Sequence, residues 1–458
     1  MLRPSFRGLL ALTLLVGAAG CAARGNGRGD PVASAGLGTL ASTSFQGVAS
    51  GDPARTVVSA PDPPASASTL EAASETAPTS RSAPIDKSVP TSETVPARAT
   101  APTSETVPTS QTVPAGETVP APTGPPSLPV WSPPADAVDL PRPDGPASVG
   151  IAAAGFADTV VFYPAVAGTG RGLHRYVEPE WATVAGLDPA LMDRVVSSAQ
   201  IDATPLPADS PRPIVLLTPG WRSLVAFSTS LAESLASNGY VVLATQTDLV
   251  AEWSHPASTQ QDRDKRLAVV RRLLDFTAGP SLPKLVGPID VHRIAVGGHS
   301  YAGTIAFDAT VADRRIAVVF DLDGSARGEA TRTPPTRPTL VVVTVDNAKV
   351  ADPLLGHFAA RSPNIAAVGV LDALHLDVTD AASIPMLLGT SVFSTLVGTV
   401  GSSGTTDTSR IVGRFLDATL TTRQRQPTGA ELVGGLPSAT ADPFGSQAPA
   451  GPPVNPPA

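Results

Sequence analysis

The 458 residues contain one cysteine, Cys21, so no intramolecular disulfide can form and the fold must stand without one. Aromatic residues supply only 4% of the chain, too few to furnish stacking platforms for bases or sugars. A positive surface is missing as well: 32 Lys and Arg face 40 Asp and Glu, a net charge of -8. That balance excludes nucleic acid as the main partner. No metal-ligand spacing and no nucleotide fingerprint is present, so no cofactor and no metal are expected. The apolar stretch Leu9 to Val16 is too short to remain in a bilayer as a spanning helix.

That stretch has another use. Arg3 and Arg7 precede it, and Gly17, Ala18, Ala19 and Gly20 lead directly to Cys21, the layout of an export signal. Small residues before a cysteine resemble the lipobox of bacterial lipoproteins, in which the cysteine is acylated and becomes the new N-terminus. Ala18 stands where leucine is usual. The competing reading is an ordinary signal peptide that leaves an incidental thiol. The expectation is an exported protein, lipid-anchored through Cys21 and facing outward from the cell membrane.

What the chain has in abundance is proline, 49 residues, crowded before residue 146 and after 426. A six-residue repeat runs through the first region, from Pro90 to Pro96, Pro102 to Pro108, Pro108 to Pro114 and Pro114 to Pro120. Its prolines block regular helix and sheet, and its Ser and Thr have nothing to bury. The sequence therefore predicts a signal over 1–21 and an unstructured stalk over 22–146. One large domain follows over 147–425, with an unstructured tail over 426–458.

Inside the domain, apolar strand signals alternate with amphipathic ones. Strands are predicted at Thr159–Tyr163, Pro213–Thr218, Tyr240–Thr245, Arg293–Gly297, Ile316–Phe320, Leu340–Thr344 and Ile365–Leu371. Helices are predicted at Phe227–Asn238, Asp262–Phe276, Tyr301–Ala312 and Ser409–Leu420. This alternation predicts an α/β fold with a mostly parallel central sheet and helices on both faces.

The chemistry gathers at Gly298, His299, Ser300, Tyr301, Ala302 and Gly303. A serine between a strand and a helix, flanked by small residues, reads as the nucleophile elbow of an α/β-hydrolase, with Ala302 one methyl group away from the usual glycine. A glycine-rich turn with an idle serine is the bland alternative. Triad order on that fold is Ser, acid, His, and only His357 and His375 follow the elbow. His375, beyond the last predicted strand, is the better placed. Asp323 and Asp346 each follow a strand, and position leaves both open as the acid. The oxyanion donors would be the backbone N–H groups of Tyr301 and of Trp221, the latter in the loop that contains Gly220.

Taken in order, several segments resemble the platelet-activating-factor acetylhydrolase-like branch of the α/β-hydrolases, including its bacterial lipase-like members. They are Tyr163-Pro164, Leu187 to Met192, Pro213 to Gly220, Leu231 to Val242, Gly298 to Gly303, Leu322 to Gly324 and His375 to Asp380. The resemblance covers about 155–420. It implies Asp323 as the acid, since that family places it at the strand end after the nucleophile helix, and it implies Trp221 and Tyr301 as oxyanion donors. Thr218 and Pro219 depart from the family's Ser-His before the oxyanion glycine. The function implied is a secreted serine hydrolase acting on a small-molecule or lipid ester. The competing functions are a polyester or amide hydrolase and a non-catalytic cell-surface binding protein on the same fold.

Overall fold

The computed structural model describes residues 127–444, except 157, 257, 326–334, 345–358, 360–361, 389–395 and 423–424. Cys21, the repeats, His357 and the alternative acid Asp346 therefore lie outside the described residues.

Twelve strands are described: β1 (Val138–Asp139), β2 (Ser148–Ala153), β3 (Thr159–Ala165), β4 (Val195–Val196), β5 (Gln200–Ile201), β6 (Arg212–Leu217), β7 (Val241–Thr245), β8 (Ile289–His299), β9 (Ile316–Leu322), β10 (Thr339–Thr344), β11 (Ile365–Val370) and β12 (Ala439–Thr440). Ten of them form one sheet in the order β12-β11-β10-β9-β8-β6-β7-β3-β2-β5. The run from β11 to β7 is parallel throughout. Antiparallel pairing enters on one side at β7–β3 and β3–β2, and on the other at β11–β12.

The apolar runs are continuous because both faces of the sheet are covered. Along β6, Val215 and Leu217 join one core layer with Leu231, Leu235, Phe320 and Phe415. Ile214 and Leu216 point the other way, into a layer with Val270, Leu273, Val296 and Ile305. This is the period-2 alternation of a strand, with every position from Ile214 to Leu217 apolar. The helix Thr229–Ser237 is buried along its whole length, between the sheet and the helix Ser402–Leu416.

The observed elements differ from the sequence reading in several places. The closing helix begins at Ser402 and ends in a π-turn over Asp417–Thr421, because its small polar first turn hid its start. The segment after 426, expected as an unstructured tail, supplies the helix Gly429–Val433 and the strand β12 beside β11. A capping box at Thr428 and Glu431 starts that helix, and buried Leu432 ties it to the core. Before 147, β1 pairs with β4, and Asp144 accepts from Ser234 Oγ at 2.8 Å. The domain is thus longer at both ends than composition suggested. Among the described residues, no helix is long and apolar enough to cross a membrane.

Candidate active site

The C-terminal edge of the parallel strands brings together residues far apart in the chain. Ser300 follows β8 directly and caps the helix Tyr301–Ala312, with φ 57° and ψ -122°. Its backbone N–H donates to Leu322 O at 2.8 Å, which joins the turn to the end of β9. The turn is sharp because strand and helix nearly touch. A Cβ on Gly298 would lie 2.6 Å from Thr218 O and 2.7 Å from the Ala302 Cβ. Glycine is therefore required at 298, while the methyl group of Ala302 is accommodated beside it.

Asp323 sits just beyond β9, 2% exposed. Its Oδ1 accepts from Thr344 N at 2.7 Å and from Thr344 Oγ1 at 3.1 Å. Oδ2 lies 2.6 Å from Nδ1 of His375, and Nε2 of His375 lies 3.0 Å from Ser300 Oγ. The carboxylate can only accept, so Nδ1 carries a proton and Nε2 is left to accept from the serine hydroxyl. The His375 side chain keeps 36% of its surface exposed, so the serine end of this line opens to solvent. The structure thus joins Ser300, His375 and Asp323. It holds Asp321, two residues before Asp323, elsewhere, under the elbow, where its Oδ1 accepts from Gly324 N at 2.9 Å.

The two expected N–H donors occupy the same edge. Tyr301 is the first residue of its helix, where backbone N–H groups lack intrahelical acceptors. Gly220 packs directly on the elbow, since a Cβ there would come within 3.3 Å of Ser300 Cβ. The Trp221 ring meets the Tyr301 ring edge-on at 5.8 Å, so Trp221 also packs as an aromatic. Backbone strain collects here too. Of five non-glycine residues with positive φ among those described, four, Arg222, Ser300, Asp323 and Asp372, follow strands of the parallel run at this edge, where the surrounding structure must hold the strain.

No family model matches the chain, and no curated protein matches it either. Among solved structures it is similar to the ferulic acid esterase from Streptomyces cinnamoneus, at 22% identity over 67% of this chain and 99% of that one, with a TM-score of 0.50. The likeness is one of fold.

Several residues around the site escaped the sequence reading. His299 is buried, and burial, reinforced by the neighbouring His375, pulls its pKa down to about 3, so its ring is neutral. Its Nε2 donates to His375 O at 2.7 Å, and the two rings lie 4.4 Å apart. Asp377 accepts from Leu374 N and Gly398 N, both at 2.6 Å, and so fixes the turn that carries His375. Arg266 and Glu252 form a buried ion pair against the Gly220 loop. For Arg266 a signal existed: it falls in the stripe Asp262, Arg266, Val270, Leu273, Leu274 and Thr277 that the helix Gln260–Thr277 buries. A charge in register with core positions is anomalous.

A cavity of about 470 Å³ lies on the same sheet edge, walled by Ile151, Phe162, Tyr176, Trp181, Leu224 and Gln246 among others. It borders the loop that follows Trp221 and does not reach the Ser300–His375–Asp323 line.

Proposed function

We propose that the chain is a serine hydrolase of the α/β-hydrolase type that cleaves carboxylic esters. One observation carries this reading: the unbroken line of contacts from Ser300 Oγ through both ring nitrogens of His375 to Asp323. The chain order Ser, acid, His agrees with it. So does the similarity to a solved structure of a ferulic acid esterase.

In this mechanism His375 Nε2 removes the hydroxyl proton as Ser300 Oγ attacks the acyl carbon. Asp323 holds the imidazole in the required tautomer and stabilises the imidazolium. The N–H groups of Trp221 and Tyr301 receive the developing oxyanion. His375 then protonates the leaving alcohol, and water activated by the same nitrogen releases the acid and restores Ser300. The segments that resemble the platelet-activating-factor acetylhydrolase-like branch favour a lipid or other small ester as substrate. The N-terminal pattern favours export and anchoring through an acyl chain on Cys21.

A fluorophosphonate probe should label the wild-type protein and leave Ser300→Ala unlabelled. Equal labelling of the two, or none of the wild type, would overturn the assignment. For the anchor, Cys21→Ala should lose incorporation of a fatty-acid analogue, and undiminished incorporation would refute it.

A further inference from the structure

The geometry points to Arg266 and Glu252 as the positioning residues of the oxyanion loop: Arg266 grips the carbonyls of Pro219 and Gly220 and thereby aims the Trp221 N–H at the developing charge. This inference rests on the hydrolase reading above and specifies how one half of its oxyanion site is built.

Arg266 is 3% exposed and Glu252 4%. Nη1 of Arg266 donates to Pro219 O at 2.5 Å, and Nη2 donates to Gly220 O at 2.9 Å. Nε and Nη2 both donate to Glu252 Oε1, at 2.9 and 2.6 Å. The other carboxylate oxygen, Oε2, accepts from Arg222 N at 2.9 Å, and Glu252 O accepts from Arg222 Nε at 3.0 Å. One guanidinium and one carboxylate therefore hold three consecutive joints of the Pro219 to Arg222 backbone.

A trans peptide is planar, with its C=O and N–H on opposite sides. No cis peptide occurs among the described residues. Fixing Gly220 O on Arg266 therefore turns the Trp221 N–H to the side away from Arg266. Gly220 itself lies against Ser300 Cβ and His299 O, so the loop stands between the cation and the elbow. A relaxed loop would not hold this shape unaided, because Arg222 has φ 54°. Its N–H bond to Glu252 secures that left-handed residue. The guanidinium also lies 5.1 Å from the Tyr301 ring centroid and 5.9 Å from that of Trp221, so it touches both residues that supply the donors. A preorganised donor acts on the transition state far more than on the bound substrate. Arg266 contacts neither and acts through the peptide it orients.

The test uses the full chain with Arg266→Met, Arg266→Lys and Glu252→Gln, assayed on a p-nitrophenyl ester. A trifluoromethyl ketone serves as probe, since the Ser300 oxygen adds to its carbonyl and leaves an oxyanion at the proposed donors. Loss of one such donor lowers kcat by about 100-fold or more, and Arg266→Met should approach that while KM changes by no more than about threefold. The inhibition constant of the ketone should rise by the same factor as kcat falls. Lys restores one donor and should recover part of the rate, and Glu252→Gln, equal in size, should lose about tenfold. A kcat within about threefold of wild type in folded Arg266→Met, or a rise in KM at constant kcat, would overturn the inference. Should Arg266→Met fail to fold, Arg266→Lys and Glu252→Gln decide by the same two readouts. Wild-type labelling and turnover separate the two failures. Without them the hydrolase reading falls; with them and undiminished variants, only the clamp does.

Discussion

Nδ1 of His375 lies 2.6 Å from Oδ2 of Asp323, across 52 residues of sequence. Thr344 takes the other carboxylate oxygen, so the aspartate offers one oxygen to the ring in one orientation. Two strand ends and a turn are thereby coupled through a single side chain.

Asp323→Asn should disrupt that coupling while keeping the shape. An amide NH2 facing Nδ1 favours the opposite tautomer, which costs about 10⁴-fold in kcat where such a triad operates. Asp346→Asn should leave kcat within about threefold, and steady-state kinetics on one ester would rank the two. The reverse order would move the acid to Asp346.

Gly298 and Ala302 form a second testable pair. Gly298→Ala forces a methyl group to within 2.6 Å of Thr218 O and 2.7 Å of Ala302 Cβ, and overpacking of this kind costs about 1–3 kcal/mol. Thermal unfolding should shift downward, and fluorophosphonate labelling should slow. Adding Ala302→Gly removes one of the two clashes and should recover part of each loss. No recovery would mean that Thr218 alone sets the limit.

A buried acidic group links pH to stability. Glu233 and Asp380 are buried together, and loss of solvent raises each pKa to about 7. Glu233 accepts from Ala199 N and Ser198 Oγ, and Asp380 accepts from Ser230 N. Between the unfolded values, roughly 4, and about 7, the folded protein holds protons that the unfolded chain has released. The contribution of these two groups to stability is therefore largest near the lower limit, falls as pH rises towards 7, and is lost above it. Buried neutral His299, with its pKa held at about 3, contributes in the opposite sense up to about 6.5. At about 1.4 kcal/mol per unit of pKa, the fall amounts to roughly 4 kcal/mol for each group. The difference in urea midpoint between wild type and Glu233→Gln across this range reads the Glu233 share, and the variant should lack that falling contribution. An equal slope in both proteins would place its origin elsewhere.

The order of Ser300, Asp323 and His375 was legible because each follows an apolar run that can only be a buried strand, and parallel strands deliver such positions to one edge. Gly298 was legible because a tight strand-to-helix turn leaves room for nothing larger. The boundaries were less so. Ser402 to Thr408 lacks the apolar periodicity that marked Ser409 onward, and Ala439 and Thr440 become a strand only because β11 presents a free edge to them.

Sequence alone, then, determined what local chemistry dictates: an α/β pattern, a serine on an elbow, and acids and a histidine at strand ends. It left Asp323 and Asp346 level by position, and only the family resemblance separated them. Tertiary structure decided what depends on distance between remote segments. It set Asp323 against His375, and it gave Arg266, a charge in register with the core positions of its helix, its acceptors at Pro219 O and Gly220 O. A hydrogen bond needs partners within about 3 Å, and a linear pattern carries no such distances until the sheet has stacked its strands.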